Sequence, residues 1–150
     1  MFDDLRDLYQ DVILDHGRQP RHGTRLAAFD ATAQGDNPMC GDRVQVFVRH
    51  DGTGHIAATG FEARGCAISI ASADLMAETV AGHSDAEVRD LAERFCNMTR
   101  TGACADDDAA MQPLRPLAGV HAFPSRIRCA TLAWTALLAA LDGKREVGGE

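Results

Sequence analysis

The segment RVQVFVRHDGTGHIAATGFEARGC, residues 43–66, gives the clearest structural signal in this chain. Three valines, at positions 44, 46 and 48, alternate against Arg43, Gln45 and Arg49, a pattern typical of a half-buried strand. Asp51-Gly52 is a turn signal, and residues 55–64 are suited to pair back as the second strand of a hairpin. With residues 26–33 as a further strand candidate, the sequence predicts a small antiparallel sheet of about three strands.

Helical patterns lie on both sides of this segment. An amphipathic helix is predicted over residues 2–16, and another helix begins almost directly after Cys66. Ser84-Asp85-Ala86-Glu87 is a capping box that opens a third helix. A last helix is predicted to start near Pro124 and to stop at Gly143. We therefore expect an α+β fold in which the small antiparallel sheet packs against several helices.

The chain is expected to form one domain over residues 1–150, because it contains no internal repeat and no linker long enough to separate two cores. Residues 96–113 lose helical periodicity, so we expect a surface insertion there. Residues 143–150 are expected to be a frayed tail.

Charge and composition argue against several classes of protein. The formal charge of -7 disfavours a nucleic-acid-binding protein, and no apolar run approaches the roughly 18 residues of a membrane span. The acidic N-terminus lacks the features of a signal peptide, so we expect a cytoplasmic protein whose thiols stay reduced. Five cysteines in such a chain favour metal or redox chemistry over disulfides.

Four residues could form one metal site. Cys66 and Cys129 lie near the starts of predicted helices, where unpaired N–H groups favour the thiolate. Cys40 and Asp42 lie two residues apart on a turn into a strand, so their side chains can point to the same side. Three sulfurs and one oxygen suit tetrahedral Zn²⁺. The spacing is not specific, and Cys66 and Cys129 could equally be ordinary buried cysteines.

Such a site would need positive charge nearby, because three thiolates and a carboxylate around a dication leave a net charge of roughly minus two. Arg128 and Arg64 are the candidates to balance it. Among the histidines only His121, just before the last helix, is a candidate neighbour of the site. Nothing pairs a particular histidine with a particular cysteine, which disfavours a cysteine hydrolase.

Five blocks of the chain, at residues 8–16, 20–21, 37–42, 65–72 and 126–134, match motifs of one known family in the family's order. By these blocks the chain resembles the IscU/NifU-N family of iron–sulfur cluster assembly proteins. Within the family it is most similar to the SufU-type members. Arg128 stands where the scaffold-type members carry a histidine, and residues 96–113 fit the insertion typical of the SufU type.

The resemblance implies a zinc-bound sulfurtransferase. Such a protein accepts sulfane sulfur from a partner cysteine desulfurase of the SufS type and passes it to downstream iron–sulfur assembly proteins. Cys40, Asp42, Cys66 and Cys129 match the family's metal ligands, and Cys40 matches the catalytic residue that takes up the sulfur. His22 departs from the family pattern, which often has an asparagine there.

Two alternatives remain open from the sequence. The chain could be a scaffold on which a transient [2Fe-2S] cluster is assembled and transferred, since thiolates are the usual cluster ligands. It could also be a structural zinc module that only docks partners. Arg128 in place of histidine favours sulfur transfer over the scaffold. Cys96, expected in or near the core, and Cys104, expected in an exposed loop, match no family motif.

Overall fold

The computed structural model describes the backbone of residues 2–38, 41–105 and 107–147, and the side chains of these ranges from residue 10 to residue 146. Four α-helices, four strands and one 3-10 helix follow one another in this part of the chain. In chain order they are α1 (Phe2–Arg18), β1 (Ala31–Asn37), β2 (Asp42–His50), β3 (Ile56–Arg64), α2 (Ala67–Val80), α3 (Asp85–Thr101), the 3-10 helix (Ala109–Ala122), α4 (Pro124–Leu141) and β4 (Glu146–Val147).

The predicted α+β class and the antiparallel sheet are confirmed. The strand order is β3-β2-β1-β4, and β2 pairs antiparallel with both β1 and β3. The first strand is Ala31–Asn37 and not residues 26–33. Its inward positions include Ala33 and Gly35, small residues that allow α4 to pack closely, so the strand lacks the large apolar residues that mark β2.

The C-terminal segment differs from the expected frayed tail. Lys144 N–H donates to the carbonyl of Ala139 (2.8 Å), which turns the chain back toward the sheet. Gln34 N–H then donates to the carbonyl of Arg145 (2.8 Å), and β4 pairs in parallel with β1. The described part of the tail therefore covers one edge of the sheet.

The core lies between one face of the sheet and helices α2, α3 and α4. Trp134 of α4 is fully buried and stacks on Phe95 of α3, with ring centroids 4.7 Å apart. Val46 and Phe61 come from the sheet and are also buried. Each such side chain contributes about 1.5–3 kcal/mol through burial.

The segment expected as a surface insertion is more ordered than its sequence pattern indicates. Helix α3 continues through Cys96 to Thr101 and ends at Gly102, which adopts a left-handed conformation (φ 78°). The following 3-10 helix contains Pro113 and Pro116, which lack the N–H that a regular α-helix requires. It nevertheless buries apolar side chains in the core, namely Met111, Leu114, Leu117 and Val120. Cys104, expected to be exposed, is half-buried against this core.

The capping box that opens α3 is present as predicted. Helix α1 packs on the start of α2. A Cβ atom added at Gly17 of α1 would lie 2.9 Å from Ala67 Cβ of α2, so these two helices meet at very close range. Among the described residues, no helix combines the length and the apolar character that a membrane crossing demands.

Candidate metal centre

Asp42 occupies the first position of β2, directly after the turn from β1. It pairs with Asn37 across the hairpin, and Gly41 in the turn has a left-handed conformation (φ 75°). The Asp42 side chain is only 2% exposed. Cys40, the proposed sulfur acceptor and fourth ligand, directly precedes Gly41 in the sequence and falls outside the described residues.

The Asp42 carboxylate is held by the start of α2. Its Oδ1 accepts the backbone N–H of Cys66 (3.0 Å), and its Oδ2 accepts the hydroxyl of Ser69 (2.8 Å). Ser69 Oγ also lies within 3.1 Å of the carbonyl oxygen of Cys129, so this buried hydroxyl bridges the hairpin and α4. A negative group at a helix N-terminus is stabilised by the helix dipole.

Gly65 makes this arrangement possible. Its φ angle is +145°, and a Cβ atom at this position would lie 2.0 Å from Asp42 Oδ1. The carboxylate therefore occupies the space that any side chain at residue 65 would need.

The two described cysteines converge on the same carboxylate. Cys66 is the N-cap residue of α2 and is partly buried, whereas Cys129 lies in the second turn of α4 and is 1% exposed. One ligand atom from each of Asp42, Cys66 and Cys129 lies within 4.8 Å of the other two. The structure thus brings together three of the four residues that the sequence selected.

This donor set fits Zn²⁺. Tetrahedral zinc with bonds of about 2.3 Å to sulfur and about 2.0 Å to oxygen places its ligand atoms roughly 3.5–3.8 Å apart. Cys66 Sγ and Asp42 Oδ2 are 3.7 Å apart. This pair already has the separation of two zinc ligands, and Cys129 Sγ lies within 4.8 Å of Cys66 Sγ. Cys40 is the candidate for the fourth position.

Arg126 is a positive group close to the thiols. Interaction with Cys129 and, to a smaller extent, with Cys66 raises the pKa of its guanidinium above the ordinary value. No role was predicted for Arg126 from the sequence. Its position three residues before Cys129 in a helix was the available signal, because residues three apart share a face.

The two arginines predicted to balance the charge are both exposed. Arg64 is exposed at the end of β3, where it lines a pocket of about 280 Å³ together with Asp42 and Arg43. Arg128 is exposed on the first turns of α4. His121 does not join the centre, since its Nδ1 lies 2.9 Å from the carbonyl oxygen of Ala118 and its ring lies over Gly102.

Fold and site together define a small α+β protein in which a hairpin, a helix start and the last helix bring two thiols and a carboxylate together as a candidate metal centre. The family model described as NifU-like N terminal domain matches residues 8–144. The chain belongs to this family, which confirms the family predicted from its motifs.

Named relatives fall into two groups. The chain is 38% identical over 140 residues to the "Iron-sulfur cluster assembly scaffold protein IscU" of Streptococcus pyogenes serotype M1, covering 91% of this chain and 84% of that protein. It is 36% identical over 133 residues to the "Zinc-dependent sulfurtransferase SufU" of Bacillus subtilis (strain 168), covering 89% and 88%. One is named a scaffold protein and the other a sulfurtransferase, and they are similar to this chain to a comparable degree.

The fold also matches a solved structure. A putative iron-sulfur cluster assembly scaffold protein for the SUF system from Fervidobacterium Islandicum AW-1 superimposes with a TM-score of 0.80 at 29% identity. The match covers 91% of this chain and 98% of that one. It agrees with the predicted IscU/SufU-like fold.

Proposed function

We propose that the chain is a zinc-dependent sulfurtransferase of the SufU type. It accepts sulfane sulfur at Cys40 from a cysteine desulfurase of the SufS type and supplies it to downstream iron–sulfur assembly proteins. The observation that supports this best is the convergence of Asp42, Cys66 and Cys129 within 4.8 Å, in a sequence that also places Cys40 in the adjoining turn.

The chain's own residues prepare the centre for a metal ion and for thiol chemistry. Cys40, Asp42, Cys66 and Cys129 would hold Zn²⁺, which when bound keeps coordinated thiols deprotonated. Ser69 and the N–H of Cys66 fix the carboxylate. Arg126 offsets the negative charge of the thiolates.

The proposed transfer is a thiol exchange. The thiolate of Cys40 attacks the outer sulfur of the persulfide on the desulfurase. A new S–S bond forms at Cys40, the S–S bond of the donor breaks, and the donor cysteine leaves as a thiolate. The sulfane sulfur keeps its oxidation level, so the step needs no additional oxidant or reductant.

The direct test is stimulation of a cognate cysteine desulfurase, measured as alanine formed from cysteine. We expect the wild-type chain to stimulate and Cys40→Ser to fail while remaining folded by circular dichroism. Cys104→Ser, a half-buried cysteine outside the centre, is the matched control and is expected to stimulate normally. Mass spectrometry of the wild-type chain after turnover should show one added sulfur atom on the peptide that contains Cys40.

Two results would overturn the proposal. One is full stimulation by Cys40→Ser, and the other is a wild-type chain that never acquires sulfur at Cys40.

The second candidate is a scaffold for a [2Fe-2S] cluster, favoured by the relatives that are named scaffold proteins. Cysteine thiolates are the usual ligands of such clusters. Aerobic purification separates the two functions. A colourless protein with zinc at the thiol centre supports the sulfurtransferase, whereas a brown protein with an iron–sulfur absorption spectrum supports the scaffold.

A further inference from the structure

A second group of potential metal ligands lies about two turns further along α2 from Cys66. One ligand atom from each of His16, Asp74 and Glu78 lies within 4.8 Å of the other two. His22 adjoins them, with Nε2 at 3.6 Å from Glu78 Oε1. These four residues, the histidine–carboxylate cluster, come from the end of α1, the loop after it and α2.

Asp74 organises the cluster. Its side chain is fully buried, and its two oxygens contact His16 Nδ1 (2.5 Å) and the backbone N–H of His22 (2.8 Å). The carboxylate thereby fixes the ring of His16 and the loop position of His22. When a neutral imidazole donates a hydrogen bond from Nδ1–H to a carboxylate, its Nε2 is left as the ligand atom. This arrangement is common around protein-bound metals.

The charge of the cluster favours a cation. Within the part of the chain that the structure describes, Asp74 and Glu78 lie at ion-pair distance only from histidines. Arg21 acts on both carboxylates from further away, and its own ion-pair partner is Asp15 at 2.6 Å. With neutral imidazoles the two carboxylates leave a formal charge of about minus two, which one divalent ion would neutralise. A buried carboxylate beside a second one is costly unless such compensation is present.

The cluster is also accessible. The side chains of His22 and Glu78 are 36% and 41% exposed, so an ion can approach from solvent on that side. Asp74 closes the opposite side of the cluster. Imidazole nitrogen with carboxylate oxygen is a donor set suited to Zn²⁺ and similar divalent transition metals.

We propose that His16, His22 and Glu78, oriented by Asp74, bind a second divalent transition-metal ion of the Zn²⁺ class. This site is separate from the thiol centre and contains no sulfur ligand. Binding there would join the end of α1 to α2. The proposal does not depend on the proposed sulfur transfer.

The test is zinc binding to the full chain by equilibrium dialysis, followed by Co²⁺ substitution. The wild-type chain is expected to bind two equivalents, and Glu78→Gln and His22→Asn are expected to bind one each. Each substitution should weaken the second equivalent by at least about tenfold. Thiolate-bound Co²⁺ gives a sulfur-to-metal charge-transfer band, which both variants should retain because the thiol centre is untouched.

Glu93→Gln is the matched control, since Glu93 is an exposed glutamate on α3. It is expected to keep two equivalents. The proposal is overturned if the wild-type chain binds only one equivalent and that equivalent gives the charge-transfer band, or if Glu78→Gln still binds two with unchanged affinity. A single equivalent that gives the charge-transfer band would leave the thiol centre intact, so this failure is distinguishable from failure of the proposed function.

Discussion

Asp42 owes its position to three neighbours that were distant in the sequence. Ser69 and the Cys66 N–H bind its oxygens, and Gly65 leaves the space for them. Gly65 therefore matters as much as Cys66 for the position of the Asp42 carboxylate. These contacts also predict which single change disturbs the centre without removing a ligand.

Gly65→Ala is expected to lower the free energy of unfolding by about 1–3 kcal/mol and to reduce the zinc content. The added Cβ would meet Asp42 Oδ1 at 2.0 Å, and the left-handed φ angle adds strain. Urea denaturation and metal analysis would measure both effects. Gly52→Ala is the control because nothing lies within 4 Å of its added Cβ, and its stability should change by less than about 0.5 kcal/mol. Equal behaviour of the two variants would contradict this account.

Single residues were predictable where local chemistry marks them. Cys66 and Cys129 could be selected because each lies near a helix start, and Asp42 because it follows Cys40 on a turn. Arg126 and the histidine–carboxylate cluster were missed. Their roles depend on contacts between elements far apart in the chain, such as His16 with Asp74, which no local pattern contains.

Among the secondary-structure elements, the end of β2 is joined to α3 by a histidine between two carboxylates. His50 Nε2 lies 2.8 Å from Asp85 Oδ1, and His50 Nδ1 lies 3.1 Å from Asp30 Oδ1. Burial by itself would lower the pKa of His50, but the hydrogen bonds to Asp85 and Asp30 outweigh it and raise the pKa above the ordinary 6.5. The protonated form therefore stabilises the folded protein.

This raised pKa predicts a pH dependence. The stabilising contribution of His50 is fully present below the ordinary pKa and is lost as pH rises through the higher folded-state pKa. The stability difference between wild type and His50→Gln should therefore be larger at about pH 6 than at about pH 9. Urea denaturation at both values measures it, with His121→Gln as the control, since that imidazole bonds a backbone carbonyl. A difference that does not change with pH would contradict the assignment.

Elements with strong local signals were predicted well. The β2–β3 hairpin was predicted from alternating valines and an Asp-Gly turn, and the start of α3 was predicted from its capping box. Both are found where they were expected, because these signals act over only a few residues. The bounds of β1 and of the 3-10 helix were predicted poorly: the strand was expected at residues 26–33, and only one or two short helical turns were expected at residues 114–120. Small residues in β1 and prolines in the 3-10 helix remove the usual patterns, and only packing against α4 and α3 defines these elements.

In the whole molecule, the hydrophobic core and the thiol centre are separate structures. The largest buried side chains, including Trp134, Phe95 and Phe61, lie between the sheet and helices α2, α3 and α4. The centre lies at the margin of this core, where the hairpin turn meets the starts of α2 and α4. The core should therefore fold without a metal ion.

Removal of zinc by a chelator is expected to lower the melting temperature but to preserve the helical circular dichroism spectrum. Free zinc at about a thousand times its dissociation constant would add about 4 kcal/mol to the free energy of unfolding. The single tryptophan, Trp134, is fully buried and reports the unfolding by fluorescence. A chelated protein that is unfolded at room temperature would instead support the structural zinc module.

The order in which the ligands occur along the chain has a consequence for synthesis. The hairpin and Cys66 are made first, whereas Cys129 belongs to α4, the last helix of the described fold. A growing chain on the ribosome thus presents two thiols and a carboxylate before the helix that completes and shields them has emerged. An ion captured at that moment would have an incomplete set of partners and exchange readily. Completion of the proposed centre therefore waits for the synthesis of α4, and a translation product interrupted before Cys129 would lack one of the proposed ligands.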